Sequence, residues 1–247
     1  MQILVKFPTR GRPDNFFRAL DLYLDMAEDA ERLRVQVTID DDDTVMNAPE
    51  VLERLSGYPN LVLTRGRSTS KIHAINRDLL MDGWDILLLA SDDMIPVEKG
   101  YDTVIRSRML EHYPDTDGVL WFNDGNRADL NTLSILGRRF YERFGYIYHP
   151  GYRSLYCDKE FTLVADTLGR QTYFDQVIIR HEHPSYGYGD MDAIHQDNKR
   201  NKDPDFRLFL RRQARRFDIG HPLANGLLGL AYDARRLFKA ALGRWQK

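Results

Sequence analysis

Two adjacent carboxylates, Asp92 and Asp93, directly follow an apolar run within residues 84–96 (WDILLLASDDMIP). Paired carboxylate oxygens suit a divalent cation and the phosphate groups that such a cation binds. The alternative is structural, because Ser and Asp are favoured at helix N-caps and residues 91–93 could cap the next helix. The pair is therefore a candidate cation and diphosphate site, with helix capping as its alternative.

A second acidic cluster, residues 40–43, ends another apolar stretch. Asp40 and Asp41 are its candidates for contact with a nucleotide, and Asp40 is preferred because it ends the stretch; a solvated turn is the alternative. If both stretches are parallel strands, their carboxyl ends lie at one edge of the sheet, where open α/β sheets bind ligands. Two acidic clusters at one edge are harder to explain by helix capping alone.

Basic and small polar residues provide further candidates for binding a phosphorylated donor. Those in the loop after the first apolar stretch are Pro8, Thr9, Arg10 and Arg12. A guanidinium in this loop could contact phosphate or stack on a base, and surface solvation is its alternative. Lys71 begins a predicted helix, where its charge would add to the positive end of the helix dipole, although an ordinary surface lysine fits equally well.

Two acidic residues in the second half, Asp158 and Glu160, are candidates for a general base. A carboxylate within hydrogen-bond reach of an attacking hydroxyl can remove its proton. The two side chains would share a face in an extended chain and diverge in a helix, so we expect only one to reach an acceptor. Cys157 could be a nucleophile, but no histidine partner is indicated, and a small buried filler is the better interpretation.

Two histidines, His181 and His183, are candidate metal ligands. They alternate along a predicted strand and would therefore point the same way. Imidazole is a common ligand of divalent cations, so the pair could contribute to a metal or diphosphate site. A purely structural role is the alternative for each.

The elements that must position these residues alternate between strand and helix. The apolar pattern predicts strands at 2–7, 34–39, 60–63, 85–90 and 118–122, with helices after residue 13, at 71–81 and at 98–111. Further along, it predicts helices at 133–144 and 161–168 and a strand at 173–181. Such alternation predicts an α/β fold with a mostly parallel sheet flanked by helices.

Composition narrows the class of protein. The 247 residues can form one α/β domain or two small ones, and a net charge of −2 gives no reason to expect a nucleic-acid partner. The single cysteine, Cys157, excludes an internal disulfide and permits a reducing compartment. We find neither a signal-peptide pattern nor an apolar run long enough to span a membrane, so we expect a cytoplasmic protein, with peripheral attachment to the membrane as an alternative.

The last part of the chain, residues 205–247, differs in character from the rest. Phenylalanine and leucine alternate there with arginine, and residues 227–242 form a second amphipathic pattern. We predict a basic amphipathic helical tail that contacts a membrane surface, packs on the catalytic domain or mediates self-association. The remaining chain, 1–204, is predicted to form the catalytic domain, with a nucleotide-binding half at about 1–125 and an acceptor half at about 126–204.

The order of several motifs resembles that of a known enzyme family. In chain order, these motifs are KFPTRGRP, TIDDDD, SKIHAINRDLL, LLLASDDMIP, YCDKEF and HEHP. Together they resemble glycosyltransferases of the GT-A (Rossmann-like) fold, closest to the large family 2 group, over roughly residues 2–185. The resemblance implies a GT-A fold and a nucleotide-diphosphate sugar as the donor.

The resemblance also implies a role for each motif. The first acidic strand end would contact base and ribose, an Asp-x-Asp turn would hold Mn²⁺ or Mg²⁺ on the diphosphate, and a histidine, with His183 preferred, would complete the metal site. Asp158 best matches the family's catalytic base. Where such enzymes carry Asp-x-Asp, this chain has Ala90-Ser91-Asp92-Asp93, so the first carboxylate is either missing or replaced by Ser91, depending on the register.

The family binds sugar or acceptor where a later strand ends, which here implicates Trp121, Asn123 and Asp124. An ordinary turn at residues 123–125 fits this segment equally well.

We therefore predict an inverting, metal-assisted glycosyltransferase that acts on a glycan, a lipid-linked acceptor or another hydroxyl. A nucleotidyltransferase of related fold is one alternative, although KFPTRGRP is a poor version of the glycine-rich loop that it would need. The altered Asp-x-Asp favours a second alternative, a noncatalytic nucleotide- or sugar-binding relative.

Overall fold

The fold is built on a mostly parallel sheet of seven strands, in a computed structural model that describes residues 1–188 and 200–219. The strands, with a small second sheet included, are β1 (Ile3–Thr9), β2 (Leu33–Asp40), β3 (Leu61–Gly66), β4 (Ile86–Leu89), β5 (Met94–Pro96), β6 (Val119–Phe122), β7 (Ile135–Gly137), β8 (Gln171–Phe174) and β9 (Ile179–His181). The large sheet has the order β3-β2-β1-β4-β7-β6-β8, and only β7 runs antiparallel to its neighbours. The α/β class predicted from the sequence is confirmed.

Helices cover both faces of this sheet. They are α1 (Pro13–Asp25), α2 (Pro49–Ser56), α3 (Lys71–Asn76), α4 (Tyr101–His112), α5 (Arg138–Glu142), α6 (Cys157–Thr167) and α7 (Lys202–Ala214). Alternate residues of a strand point to opposite faces, so Val5 and Phe7 of β1 pack in the apolar layer of α1 and α4. Leu4 points the other way, into the layer formed with α3, α6 and α7.

The predicted helix at 133–144 is wrong in its first part, which forms β7 before the short α5. β7 fills the space between β4 and β6 and pairs with both, so its backbone groups are satisfied within the sheet. A Cβ atom at Gly137 would collide with the Thr116 carbonyl oxygen. Sheet pairing and this close backbone approach outweigh the helical pattern of apolar residues.

The helix predicted at 71–81 is shorter than expected. It ends at Asn76, because Arg77 adopts an extended conformation.

The predicted strand at 173–181 is in fact two strands, β8 and β9, separated by residues 175–178. β9 leaves the large sheet and pairs antiparallel with β5, which the sequence pattern did not predict. In this pairing Met94 lies opposite His181. The small sheet therefore brings the histidine strand next to the acidic turn that follows β4.

The first described part of the predicted tail, up to residue 219, packs against the α/β core. Phe209 of α7 is buried, and the Arg212 guanidinium lies 2.8 Å from the Glu160 carboxylate on α6. The expected boundary at residue 205 therefore falls within a helix that begins at Lys202. Residues 220–247, with the second amphipathic pattern at 227–242, lie outside the described residues. Within 1–188 and 200–219, no helix combines the length and the apolar composition needed to cross a membrane.

Candidate active site

The carboxyl ends of β1 and β4 lie side by side, and an ion pair links the segments that follow them. Arg12, at the entrance to α1, places its Nη1 3.2 and 3.3 Å from the two carboxylate oxygens of Asp92. Burial raises the pKa of Asp92, and the positive charge of Arg12 opposes this effect. The carboxyl edge of the sheet, where the sequence predicts ligand binding, thus carries an acidic and a basic side chain in contact, and both are partly buried.

Asp93 belongs to a second ionic group, which is centred on His181. The Nε2 atom of His181 lies 3.4 Å from Asp93, and its Nδ1 atom lies 3.6 Å from Asp124. The backbone fixes this arrangement, because the His181 amide donates to the Asp124 carbonyl oxygen (2.9 Å). Asp124 in turn accepts a hydrogen bond from the Thr132 hydroxyl at 2.6 Å. We call Asp93, His181 and Asp124 the acidic–histidine triad.

Electrostatics favour a charged histidine in this triad. Burial alone would lower the pKa of His181, but the two carboxylates beside its ring raise it to about 9. Burial alone would raise the pKa of Asp124, but interaction with His181 and Thr132 lowers the pKa of that carboxyl to about 2. The pKa of Asp93 is likewise held below its ordinary range by His181, against the effect of burial. At neutral pH the triad therefore holds one positive and two negative charges.

The donor groups fit a divalent cation that binds together with a diphosphate. Among the described residues, no cluster of three His, Cys, Asp or Glu side chains could hold a metal alone. Asp93 and His181 nevertheless present an oxygen and a nitrogen donor side by side, and Mg²⁺ is commonly held by one or two protein ligands plus substrate phosphates. Cation binding at His181 would displace its proton.

Ser91 and His183 have local hydrogen-bond partners. The Ser91 hydroxyl donates to Asp93, so it supports that carboxylate from the position where the family carries its first acidic residue. His183 caps the turn of residues 184–186, and its Nδ1 lies 2.7 Å from the Ser185 hydroxyl. The ring of His183 is 5.4 Å from that of His181. His181 is thus the histidine in contact with the acidic turn, whereas the sequence had favoured His183.

The ends of β1 and β2 carry two buried polar atoms without hydrogen-bond partners among the described residues. They are Thr9 Oγ1, at the end of β1, and Asp40 Oδ1, at the end of β2, which lies 3.6 Å from Arg77 Nη2 without a hydrogen bond. The other Asp40 oxygen accepts from Arg10 at 2.9 Å, and Arg10 also binds Asp42 at 2.6 Å. Buried polar atoms normally have partners, so these two could bind the polar groups of a nucleoside. Asp41 is exposed beside them.

Lys71 lies between the acidic turn, which contains Asp92 and Asp93, and the candidate base Asp158. It is the first residue of α3, and the preceding Ser70 caps that helix by accepting from the His73 amide at 3.1 Å. Burial favours a higher pKa for Asp92, Asp93 and Asp158, and the positive charge of Lys71 opposes this effect at all three. An exposed cation among three carboxylates is suited to binding a diphosphate.

Asp158 and Glu160 lie in the first turn of α6 and diverge, as expected for a helix. One Asp158 oxygen accepts from the Lys159 amide (2.8 Å), and burial raises the pKa of the Asp158 carboxyl. Glu160 is buried in an ion pair with Arg212 and accepts from the Tyr152 hydroxyl at 2.7 Å. These partners give Glu160 a structural role, so the alternative in which it acts as the base is not supported by its position.

Cys157, at the start of α6, is also buried, and its thiol donates to the Ser154 carbonyl oxygen at 3.6 Å. Burial raises the pKa of the thiol well above its ordinary value. A buried, protonated thiol is a poor nucleophile, as expected for a filler residue.

The three predicted sugar-binding residues divide between two places. Asp124 belongs to the acidic–histidine triad. Trp121 packs edge-to-face on Tyr173, with ring centroids 4.9 Å apart, and Asn123 donates to Asp175 at 2.8 Å. The indole nitrogen of Trp121 is buried without a hydrogen-bond partner among the described residues.

Sequence reasoning missed three residues that the fold brings to the site, namely Thr132, Arg127 and Arg77. The backbone amide of Arg127 donates to Asp124 (2.9 Å), and its charge acts on Asp158. Arg77 Nη2 lies 3.6 Å from Asp40 and donates to the Ile39 carbonyl oxygen at 2.8 Å. Arg77 lies between Asn76 and Asp78 in the sequence, where nothing marks it as a site residue, and the other two residues lie in an ordinary polar loop.

Comparison with known proteins identifies the fold. No protein-family model matches the chain, and no curated protein matches it by sequence. A mannosyltransferase from Pyrobaculum calidifontis, PcManGT, solved with GDP-Man and Mn²⁺, has a TM-score of 0.60 and 15% identity, covering 94% of this chain and 80% of that one. Residues 1–349 of S. aureus TarS have a TM-score of 0.59 and 16% identity, and the match covers 73% of this chain but only 60% of that chain.

A third structure is glucosyl-3-phosphoglycerate synthase from Mycobacterium tuberculosis, solved with Mg²⁺ and UDP. Its TM-score is 0.50 at 15% identity, covering 74% of this chain and 72% of that one. At such identities the likeness shows the fold alone. The chain has a GT-A fold, which confirms the architecture that the motif resemblance implied.

Proposed function

We propose that this protein is a glycosyltransferase that moves a sugar from a nucleotide-diphosphate sugar to an acceptor hydroxyl. One observation carries the proposal. The Arg12–Asp92 pair, the acidic–histidine triad and Asp158 converge at the carboxyl edge of a GT-A sheet. Support comes from solved structures with this fold, which were determined in complex with UDP, UDP-GlcNAc or GDP-Man.

The donor would lie across the ends of β1, β2 and β4. Asp40 and Thr9 each carry a buried oxygen that makes no hydrogen bond among the described residues, so they would bind the base or ribose. Arg12 and Lys71 would bind the diphosphate, since both are cations beside the acidic turn. Asp92 would then exchange part of its contact with Arg12 for contacts with the donor and its cation. Arg10, which donates to Asp40, would lie beside the bound nucleoside.

Asp93 and His181 would hold a divalent cation, Mn²⁺ or Mg²⁺, together with the diphosphate. When bound, the cation offsets negative charge on the departing nucleoside diphosphate. Asp124 would orient His181, since its carboxylate lies 3.6 Å from the other ring nitrogen, and histidines that bind metals commonly have a carboxylate at this position.

Asp158 would remove the proton from the acceptor hydroxyl. As that oxygen bonds to the anomeric carbon, the bond from carbon to the diphosphate breaks, and Asp158 Oδ receives the proton. Attack on the face opposite to the leaving group inverts the anomeric carbon. A base with a pKa raised towards the working pH accepts a proton more effectively, in agreement with the burial of Asp158.

A noncatalytic nucleotide-sugar-binding protein is the second candidate. Ser91 in place of an acidic residue favours it, because one potential cation ligand is missing from the acidic turn. Such a protein would bind the same donors without releasing a nucleoside diphosphate.

Donor binding and cation binding are expected to depend on each other. In a thermal-shift panel of UDP, GDP and their sugars, Mn²⁺ alone should change the Tm little, since Asp93 and His181 supply only two donors. A matching nucleotide sugar with Mn²⁺ should raise the Tm by more than the two separate shifts combined. A full Mn²⁺ shift without nucleotide would contradict joint binding, and no shift with any donor would contradict the proposed function.

We also propose that α7 brings the enzyme to an anionic membrane carrying a lipid-linked acceptor. Its outer surface exposes Phe206 and Leu210 beside the exposed Arg207 and Arg211, and each pair lies one helical turn apart. Apolar burial combined with attraction to anionic headgroups suits the membrane interface. A cytoplasmic location is part of this proposal and is consistent with the absence of an internal disulfide.

Vesicle co-sedimentation tests this contact. Arg207→Ser combined with Arg211→Ser should weaken sedimentation with anionic vesicles, and high salt should weaken that of the unmodified protein. Arg32→Ser combined with Arg108→Ser removes the same charge from exposed positions elsewhere and should have little effect. Equal binding by both double variants, or sedimentation without vesicles through self-association, would contradict the membrane contact.

A further inference from the structure

A buried carboxylate on α7, that of Asp205, holds a loop of the catalytic domain by three backbone amides. Arg153 N donates to Oδ1 at 3.0 Å, and Ser154 N and Leu155 N donate to Oδ2 at 2.8 Å each. Asp205 is only 2% exposed, and it lies 50 or more residues from the amides in sequence. Consecutive backbone N–H groups form a concave anion site, and here the protein's own carboxylate fills it.

The same loop connects the two sides of the candidate active site. The Arg153 carbonyl oxygen accepts from the Ile72 amide at 3.3 Å, immediately after Lys71. At the other end, the loop runs through residue 156 directly into α6, which carries Asp158 in its first turn. A displacement of residues 153–155 would therefore move both Lys71 and Asp158.

The junction between the loop and α6 is strained, and α7 packs on it. Tyr156 has a φ of +64°, in the left-handed region that a bulky side chain rarely adopts. Its ring contacts those of Phe206 and Phe209, with centroids 5.2 and 5.9 Å away. Strained backbone persists only where the surrounding structure holds it, and such residues often lie at functional sites.

A second contact holds α6 itself. Two turns after Asp205, Arg212 places its Nε 2.8 Å from both oxygens of Glu160, and Glu160 also accepts from the Tyr152 hydroxyl. Asp205 thus holds the loop before α6, while Arg212 holds the first turn of α6. The two contacts fix the segment between them, which contains Asp158.

We propose that Asp205 is a positioning residue for glycosyl transfer, which holds residues 153–156 so that Asp158 and Lys71 keep their separation across the site. This inference rests on the proposed function, in which Asp158 is the base. It assigns α7 to the catalytic unit and predicts that α7 affects the chemical step more than donor binding.

The first test compares Asp205→Asn with Asp203→Asn. Both remove one charge from the first turn of α7, but Asp203 is exposed, so it is the matched control. Asp205→Asn should lower kcat by about 10- to 100-fold and raise the donor Kd by less than about threefold. A misplaced base loses near-attack geometry, whereas among the proposed donor contacts only that of Lys71 is displaced. Asp203→Asn should behave like the unmodified protein. Asp205→Glu keeps the charge and should recover part of the lost kcat.

The pH profile separates positioning from simple loss of folded protein. Unfolding of a fraction of molecules would lower kcat and the number of donor-binding sites equally, without moving the profile. A displaced Asp158 should instead shift the acid limb of kcat in Asp205→Asn, since its burial would change. Equal losses of kcat and of donor sites, or an unchanged kcat with an unchanged profile, would overturn the proposal.

Hydrogen exchange tests the inference even if no sugar transfer is found. In Asp205→Asn, amides of residues 153–160 should exchange faster, whereas those of β1 and β2 should not; Asp203→Asn should leave both regions unchanged. Unchanged protection at 153–160 would overturn the positioning role. If Asp205→Asn does not fold, Phe206→Ala removes only the half-exposed ring on Tyr156, and it should lower kcat several-fold at an unchanged donor Kd; an unchanged kcat would count against the proposal.

Discussion

Replacing Asp158 with asparagine is expected to lower turnover by about 10²- to 10⁴-fold while leaving donor binding nearly intact. The amide has nearly the shape of the carboxylate but cannot accept the acceptor proton. Steady-state turnover and a donor-binding titration on the same preparation measure the two effects separately. A variant with full turnover would show that another group acts as the base.

Glu160→Gln is the matched comparison, because it makes the same chemical change two residues away. Its main effect should be on stability, since the change weakens the buried pair with Arg212 and the contact from Tyr152. A lower Tm with turnover retained by the folded fraction is the expected result. If Glu160→Gln instead lost turnover at an unchanged Tm, the roles of the two carboxylates would have to be exchanged.

The raised pKa of Asp158 also predicts the pH dependence of turnover. Burial favours the protonated carboxyl, so the group stays neutral to a higher pH than an ordinary aspartate. A base must be ionised to work, and turnover should therefore fall as the pH decreases through this raised pKa. The acid limb is expected above the ordinary aspartate value of about 3.9, which pH-jump kinetics on folded enzyme can measure.

Asp93→Asn is expected to produce the second large effect, a loss of cation-dependent donor binding. Removing even an outer partner of a metal site typically costs about 10- to 100-fold in affinity, so loss of a direct ligand should cost at least that much. The donor Kd, titrated at limiting Mn²⁺, should rise accordingly and recover in part when Mn²⁺ is raised. An unchanged Kd at limiting Mn²⁺ would remove Asp93 from the cation site.

The neighbouring variant Asp92→Asn distinguishes the two carboxylates. It should also weaken binding of donor and metal, but it additionally releases Arg12, its present ion-pair partner, to the diphosphate. We therefore expect a smaller loss than for Asp93→Asn. Unchanged donor affinity and turnover at limiting Mn²⁺ would contradict a ligand role for Asp92.

The strand ends that carry Asp40 and Asp92 could be predicted from the sequence, because a buried parallel strand has a continuous apolar run that stops where the ligand edge begins. The contact of His181 with Asp93 could not. It depends on pairing between β5 and β9, two strands of three residues each that lie far apart in the chain. The sequence predicted a strand at His181, but segments so short carry no signal that identifies the strand with which they pair.

The acceptor half was harder to predict for a related reason. The pattern at residues 133–144 suits a helix, but the space between β4 and β6 is filled by a strand. Residues 135–137 form β7 because they pair with both neighbours. Likewise, Arg207, Arg211 and Arg212 look alike in the sequence. Only the packing of α7 on α6 distinguishes the buried Arg212, paired with Glu160, from its exposed neighbours.

Product analysis with labelled nucleotide sugars tests the central claim most directly. The protein would be incubated with Mn²⁺, a panel of donors carrying labels on the sugar and on the β-phosphate, and simple glycoside acceptors. We predict that one donor yields a nucleoside diphosphate together with the sugar bound to an acceptor, and that Asp158→Asn abolishes both products. Release of pyrophosphate would instead identify a nucleotidyltransferase, and tight donor binding with no release would identify a noncatalytic relative; either result would contradict glycosyl transfer.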